Sequence, residues 1–411
     1  MPTSSCPIRA YLSVNQVIEA VCAQAHCHLA TEQVLVTAAL GRILAEDIVA
    51  PFALPPYDNA AVDGYGVRST DPAGSPRRVV CRAAAGTVAD CSLSPGEAVR
   101  LFTGTPLPHG VDAVVMQEEC QTEGDWVRIP AGVSPGTNCR LAGEDVRRGH
   151  RALTAGTRLR PQDLGLTAAM GLRTLPVRAA LRVALFSTGN ELHEPGMSLP
   201  FGCIYDANRY AIFGCLTSLG CAVTDLGILP DSETAVIAAL QDAALSHDLL
   251  VTSGGVSVGE EDHVRAAVTA IGALHIWRVK IKPGKPVAIG SVANVPFLGL
   301  PGNPVAAMVT LLILGRPLVL TLAGRPFGPP ALYPIPAGFA LTRSPGRREF
   351  LRVRLNADSD GLCQATLCPR QGAAVLSSLS HADGFADLAE TVEHVQPGEI
   401  IRFLPLTDLL W

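Results

Sequence analysis

Between residues 13 and 45 apolar side chains recur at helical spacing, with Val17, Ile18 and Val21 followed by Val34, Val36, Ala39, Leu40 and Ile43. That spacing predicts a largely helical opening segment. After Pro51 the texture changes to short alternating runs, RRVVCRAAAG, EAVRLFTG, DAVVMQEE and DWVRIP, separated by Gly, Pro and Asp. These predict a small β-rich module through residue 145. Helical periodicity returns over 160–170. Beyond it, strand-like LRVALFSTG, AVTDLGIL, DLLVTSGG and HIWRVKI alternate with helix-like stretches at 208–219, 232–246 and 260–271. Such alternation predicts a parallel sheet with helices on both faces and ligands held beyond the carboxyl ends of its strands. Residues 324–338 carry five prolines and read as a stiff linker. The tail, with EFLRVRL, CQATL and EIIRFLPL, alternates in the strand period and predicts a small β-barrel.

Size and charge narrow the classes. A chain of 411 residues exceeds one core and implies roughly two to four domains. A net charge of -5 without any long Lys/Arg run argues against nucleic acid as a partner. The N-terminal residues lack the basic and apolar regions of a secretory signal, which points to the cytoplasm. One apolar stretch, 306–324, has the length of a membrane span but carries Arg316 and Pro317 at its centre, so a buried helix broken at Pro317 is expected and no membrane. The twelve cysteines show no repeated spacing and are expected as thiols. CAQAHCH, with Cys22, His26, Cys27 and His28, lacks a second Cys/His pair at zinc-finger distance, so packing is preferred to a zinc site.

The chemistry concentrates at predicted strand ends. STGNEL, VTSGG, KPGKP and GLPGNP each follow a strand, and all four fall on one rim of the predicted sheet. In VTSGG, the backbone of Ser253, Gly254 and Gly255 is suited to holding an anion. In Pro301, Gly302, Asn303 and Pro304 the glycine permits close approach, Asn303 is placed to cap the next helix and Pro304 suits its first position. Lys282 and Lys285 offer cations for an oxyanion, or form a solvated turn. The acids Glu191, Asp206, Asp231 and Asp262 near this rim make sense if a divalent cation mediates, Mg²⁺ being held by one or two carboxylates with substrate phosphates. Glu260 and Glu261 also suit a first helical turn. In the N-terminal half, Asp58, Asn59, Asp63, Thr103, Glu118, Arg140, Glu144 and Asp145 are candidates for a groove, although each Asp before Gly also suits a plain turn.

DNAAVDGYGVRS, TGTPLPHGVDAVVMQEE, NCRLAGEDVRRG, STGNEL, TSGGVSVGEEDHV, KIKPGKP and GLPGNPVAA, in this order, resemble the MoeA family of molybdopterin molybdenumtransferases, which includes the gephyrin E domain. The resemblance implies a multidomain α/β plus β architecture. Residues 1–50 with 146–176 would form a partly helical dimerisation domain, 51–145 an inserted β-rich domain, 177–326 a MogA-like α/β domain with a mostly parallel sheet, and 330–411 a C-terminal β-barrel. It further implies a homodimer with a site between the α/β domain of one subunit and the β-rich insert of the other. The implied activity is Mg²⁺-dependent insertion of molybdenum from molybdate into adenylylated molybdopterin, with release of AMP. A molybdopterin adenylyltransferase and apo-molybdoenzymes are the implied transient partners. Carried over by motif, Asp63, Thr103, Arg140, Asp145, Asp231, Asp262 and Lys282 would be catalytic. Ser253, Gly254, Gly255, Lys285, Pro301, Gly302, Asn303 and Pro304 would bind substrate, and Glu191 with Asp262 would hold the metal.

Three positions depart from the family pattern: Ala60 in place of serine, Arg278 in place of lysine, and Ala373 where relatives often carry serine after QG. The last argues against a direct substrate contact from the C-terminal domain. The shared α/β domain leaves an adenylyltransferase activity as an alternative, and the gephyrin likeness leaves a non-catalytic scaffold.

Overall fold

The computed structural model describes residues 11–255, 263–284, 286–357 and 360–410. Helix α1 (Val14–Gln24) starts at a capping box in which the Ser13 hydroxyl accepts from the Gln16 N–H at 3.2 Å and the Gln16 side chain accepts from the Ser13 N–H at 2.9 Å. The opening segment is not largely helical beyond it. Ala25 is extended, Thr31–Leu35 is a strand and Val36–Ala38 a single 3₁₀ turn. Val34 and Val36 also fit a period of two, and β-branched residues favour the extended form.

The chain divides into two compact units. The smaller comprises Gln33–Leu40 and Glu46–Leu175. It contains a short strand β1 (Asn59–Ala60) and a six-stranded sheet built from β2 (Gly64–Val67), β3 (Pro76–Ala83), β4 (Glu97–Leu101), β5 (Ala113–Met116), β6 (Gln121–Glu123) and β7 (Trp126–Arg128), in the order β5-β2-β4-β3-β7-β6. Strand β8 (Cys139–Arg140) pairs with β1, and α2 (Pro161–Ala169) fills the predicted helical stretch. Cys81 and Cys91, expected as thiols, are joined here: the chain reverses at Gly86 (φ +82°) and brings their Cα atoms to 6.8 Å.

The larger unit holds the doubly covered sheet. Its elements are β9 (Arg182–Thr188), α3 (Asn208–Ser218), β10 (Ala222–Leu229), α4 (Glu233–Ala244), β11 (Leu249–Ser253), α5 (His263–Ile271), β12 (Gly272–Arg278), β13 (Ile281–Lys282), β14 (Pro286–Val292) and β15 (Val295–Leu300). The sheet order is β10-β9-β11-β15-β14-β12. The pairs among β10, β9, β11 and β15 are parallel, whereas β14 is antiparallel to β15 and β12 to β14. The antiparallel turn follows from chemistry: Ala293 and Asn294 both take positive φ (48° and 68°), the two-residue hairpin that joins neighbouring antiparallel strands. Because β12 is antiparallel to an antiparallel strand, its end returns to the rim where β9, β11 and β15 finish.

Period-two alternation divides the sheet's side chains between two cores. Val183, Leu185, Val251, Leu298 and Leu300 face α1, α3 and the helix beyond β15, while Ala184, Phe186, Leu250 and Phe297 face α4 and α5. That further helix runs unbroken as α6 (Pro304–Thr310), a π-helical turn (Leu311–Gly315) and α7 (Arg316–Leu322). The expected break at Pro317 is absent because the wide turn makes room for a ring that would strike the preceding carbonyls of a regular helix. This is the one helix long and apolar enough for a membrane among the described residues, and 89% of its most apolar stretch is buried in the fold.

Strands β16 (Tyr333–Pro336), β17 (Arg348–Ala357), β18 (Cys363–Leu367), β19 (Gly384–Leu388) and β20 (Ile400–Pro405) form the C-terminal sheet, ordered β13-β17-β19-β20-β16 with β18 on β17. An Ala337–Ala365 bridge, reinforced by Gly338 N–H donating to Ala365 O at 2.7 Å, closes it into a barrel around Leu351, Val353, Ala386 and Phe403. The proline-rich stretch is irregular only over 325–332 and then enters β16.

Candidate functional site

The ends of β9, β11 and β15 converge on a cavity of about 90 Å³. Thr188, Glu191, Asp206, Asn208, Ser253, Gly254, Gly302 and Pro304 contribute to its lining. Gly254 and Gly255 take positive φ (87° and 64°), and a Cβ at Gly255 would lie 2.4 Å from Val264 Cγ2, so no larger residue fits there undisturbed. The Gly254 N–H, expected to face an anion, instead donates to Leu300 O at 3.1 Å and extends the β11–β15 ladder by one bond. Donor capacity at the cavity lies in the Thr188 hydroxyl, whose Oγ1 is buried without a partner among the described residues; the Ser187 and Thr252 hydroxyls share that state but do not line the cavity. Groups left so are costly unless something occupies them.

Asn303 sits at the N-cap of α6 and Pro304 at its first turn, as expected, but the Asn303 side chain makes no capping bond. The Val305 N–H donates to Ala373 O at 2.9 Å, so a backbone carbonyl of the barrel occupies that helix end. The Ala373 loop is itself held by Arg352, 1% exposed, which donates to Ser378 Oγ at 3.1 Å and Gly372 O at 3.2 Å. No sequence pattern announced a cap from 68 residues away. Lys282 is exposed yet tethered: its side chain is 46% exposed while its ammonium lies 2.7 Å from buried Glu349, and a Cβ at Gly284 would meet Thr310 Oγ1 at 2.4 Å. Lys285 and Asp262, with Glu260 and Glu261, lie outside the described residues.

The acids separate by environment. Glu191 is exposed at the cavity mouth. Asp206 is buried against Arg209, with Nε to Oδ2 at 3.0 Å. The same guanidinium binds Glu194 at 2.5 and 2.6 Å and also Asp225. Burial pulls its pKa down, but the hydrogen bonds to Asp225, Asp206 and Glu194 together outweigh that and raise it. Asp231 is half-buried just beyond β10, one strand from Thr188, and does not line the cavity. No cluster of three or more metal-ligating side chains is assembled among the described residues. Cys22 instead accepts from Thr321 at 3.6 Å, and Cys27 packs against Gly324.

In the smaller unit Asp63 Oδ1 accepts from both the N–H and the hydroxyl of Thr103 at 2.8 Å, which hold its carboxyl below the ordinary value. Arg100, which no motif singled out, bonds Gln117 and lies 5.1 Å from the Tyr65 ring. The Glu118 carboxyl is lowered chiefly by the Gln117 amide at 3.0 Å. Arg140 pairs with Asn59 in the β1–β8 ladder and is exposed, as is Asp145, whose N–H donates to Leu54 O at 3.1 Å. Asp58 accepts from the Ala142 N–H at 2.7 Å, a contact across 84 residues, whereas Glu144 accepts from the Leu141 N–H at 3.0 Å within its own turn.

Three family models match nearly end to end: the MoeA N-terminal region (domain I and II) over 12–171, a probable molybdopterin binding domain over 184–321 and the MoeA C-terminal region (domain IV) over 334–406. The chain belongs to the MoeA family. It is 37% identical over 383 residues to a molybdopterin molybdenumtransferase of Haemophilus influenzae, covering 92% of this chain and 95% of that one. It is 35% identical to molybdopterin molybdenumtransferase 2 of Mycobacterium tuberculosis, over 90% and 94% of the two chains. A solved MoeA protein of Pyrococcus horikoshii superposes with a TM-score of 0.83 at 28% identity, over 96% of this chain and all of that one. In this MoeA-family chain the cavity falls inside the segment matched as molybdopterin-binding.

Proposed function

We propose that this protein is a molybdopterin molybdenumtransferase of molybdenum cofactor biosynthesis, which inserts molybdenum from molybdate into adenylylated molybdopterin and releases AMP. The observation that carries it is the rim cavity, formed by three strand-end loops within the segment matched as molybdopterin-binding. In this reading Gly254, Gly255 and Gly302 allow close approach of the substrate's anionic tail, and the Thr188 and Ser253 hydroxyls donate to it. Pro301, Asn303 and Pro304 shape the facing loop, Lys285 adds a second cation, and Lys282 is held in register by Glu349. Asp63 with Thr103, Arg140 and Asp145 in the smaller unit, and Asp231 in the larger, carry the remaining catalytic roles in this reading.

Mg²⁺ suits the exposed Glu191 carboxylate, because this ion takes few protein ligands and completes its shell with water and phosphate oxygens. Held there, the ion would supply charge neutralisation for the phosphates and polarisation of the anhydride. Asp262 is the proposed second carboxylate. The protein acts as a cytoplasmic homodimer, receives its substrate from a molybdopterin adenylyltransferase and passes product to apo-molybdoenzymes. Incubation with adenylylated molybdopterin, Mg²⁺ and molybdate should release AMP and activate an apo-molybdoenzyme, and EDTA should abolish the release. An inert wild-type protein overturns the reading; a sedimentation mass of one chain overturns the homodimer.

A further inference from the structure

We propose that Asn208 is a positioning residue that fixes the separation of the two glycine-bearing loops, and with it the width of the anion cavity; this rests on the functional reading above. Asn208 opens α3, and its Nδ2 donates both to Ser253 Oγ at 2.9 Å and to Gly302 O at 2.7 Å. Ser253 ends β11, and Gly302 belongs to the loop after β15. One amide group therefore ties two strand-end loops to a helix, at a point where a Cβ on Gly302 would already lie 4.0 Å from Gly254 Cα. By accepting from Asn208, the Ser253 oxygen leaves its own proton to point elsewhere, and Ser253 lines the cavity.

The helix start explains how the amide is aimed. The first-turn Arg209 N–H is taken by Asp206 Oδ1 at 3.2 Å, and both Nδ2 bonds of Asn208 leave the helix, so Asn208 is not serving its own helix. The next residue, about 100° around the helix axis, is Arg209, anchored by Asp206, Glu194 and Asp225. That anchorage immobilises the first turn and directs the Asn208 side chain into the rim.

Asn208→Asp keeps the shape but sets a carboxylate oxygen against the Gly302 carbonyl; protonation returns one donor and relieves the repulsion. Dissociation constants for molybdopterin, read from pterin fluorescence, would be compared for wild type, Asn208→Ala and Asn208→Asp between about pH 5 and 8. The alanine variant should bind roughly tenfold more weakly, the effect of about 1.4 kcal/mol of lost hydrogen bonding. The aspartate variant should be weak at the alkaline end, with its ratio to wild type recovering as pH falls. Wild-type-like binding by both variants, or an aspartate ratio independent of pH, overturns the role. Should the alanine variant fail to fold, the pH ratio of the aspartate variant alone decides. A wild type that does not bind molybdopterin sinks the functional reading itself, a result distinct from a binding wild type with indifferent variants.

Discussion

Arg209 is a cation 3% exposed, and Asp206, at 2%, has it as its counter-charge. Replacing Arg209 by Met strands that carboxylate in the interior and should cost about 3–5 kcal/mol in denaturant unfolding. Lysine should recover only part, lacking the planar fork that meets several carboxylates at once; an unchanged midpoint for Met would refute the assignment. Asp63 gives a prediction with a pH sign. Its carboxyl is lowered in the folded state by the N–H and hydroxyl of Thr103, so the stability from this contact is complete above the ordinary aspartate range and fades as pH falls through the depressed folded value. Thr103→Val, which removes the hydroxyl, should shift the Asp63 titration upward in an NMR pH series, and its stability penalty should vanish in acid.

At the scale of elements, Gln371 makes the barrel's contribution to the site testable. Its side chain accepts from Arg352 N–H at 3.0 Å and donates to the carbonyls of Arg352 and Cys368 at 2.8 and 3.0 Å, holding the loop whose Ala373 carbonyl meets the Val305 N–H. Gln371→Ala should cost about 1–3 kcal/mol and speed hydrogen exchange at Val305, while exchange within β11 stays as in wild type. This contact also marks a limit of sequence reading. Helices with a local signature were legible: Ser13 with Gln16 at α1, and Ser232, whose hydroxyl accepts from the Ala235 N–H at 3.3 Å, at α4. The strand-end loops STGNEL, VTSGG and GLPGNP were legible as one rim because parallel strands bring their ends to the same side. The Ala373 cap, the two hydrogen bonds of the Asn208 amide and the Gly254 N–H bond were not, since each partner is chosen by the packed fold and not by neighbours in sequence. Thr31–Leu35 went astray because Val34, Val36 and Leu40 satisfy two periods at once.

For the molecule as a whole, the α/β sheet and the barrel within the larger unit are sewn together by β13, which pairs with β17 in parallel, and by Glu349, which binds Lys282 and Arg343 at 2.7 Å each. Glu349→Gln leaves the Arg343 guanidinium buried without its carboxylate and should lower the calorimetric transition of both parts together; a transition that splits, with only the barrel affected, would deny the coupling. The continuous apolar helix of residues 304–322 has a consequence for biogenesis. Exposed as it leaves the ribosome, such a segment invites capture by the membrane-insertion machinery or by another nascent chain. Strands β9, β11, β14 and β15, which form the sheet face it covers, are synthesised before it, so its docking surface is already present when it emerges. Gene order along the chain thus acts as the segment's first chaperone, and a circular permutant that made residues 304–322 ahead of that sheet should aggregate where the natural order stays soluble.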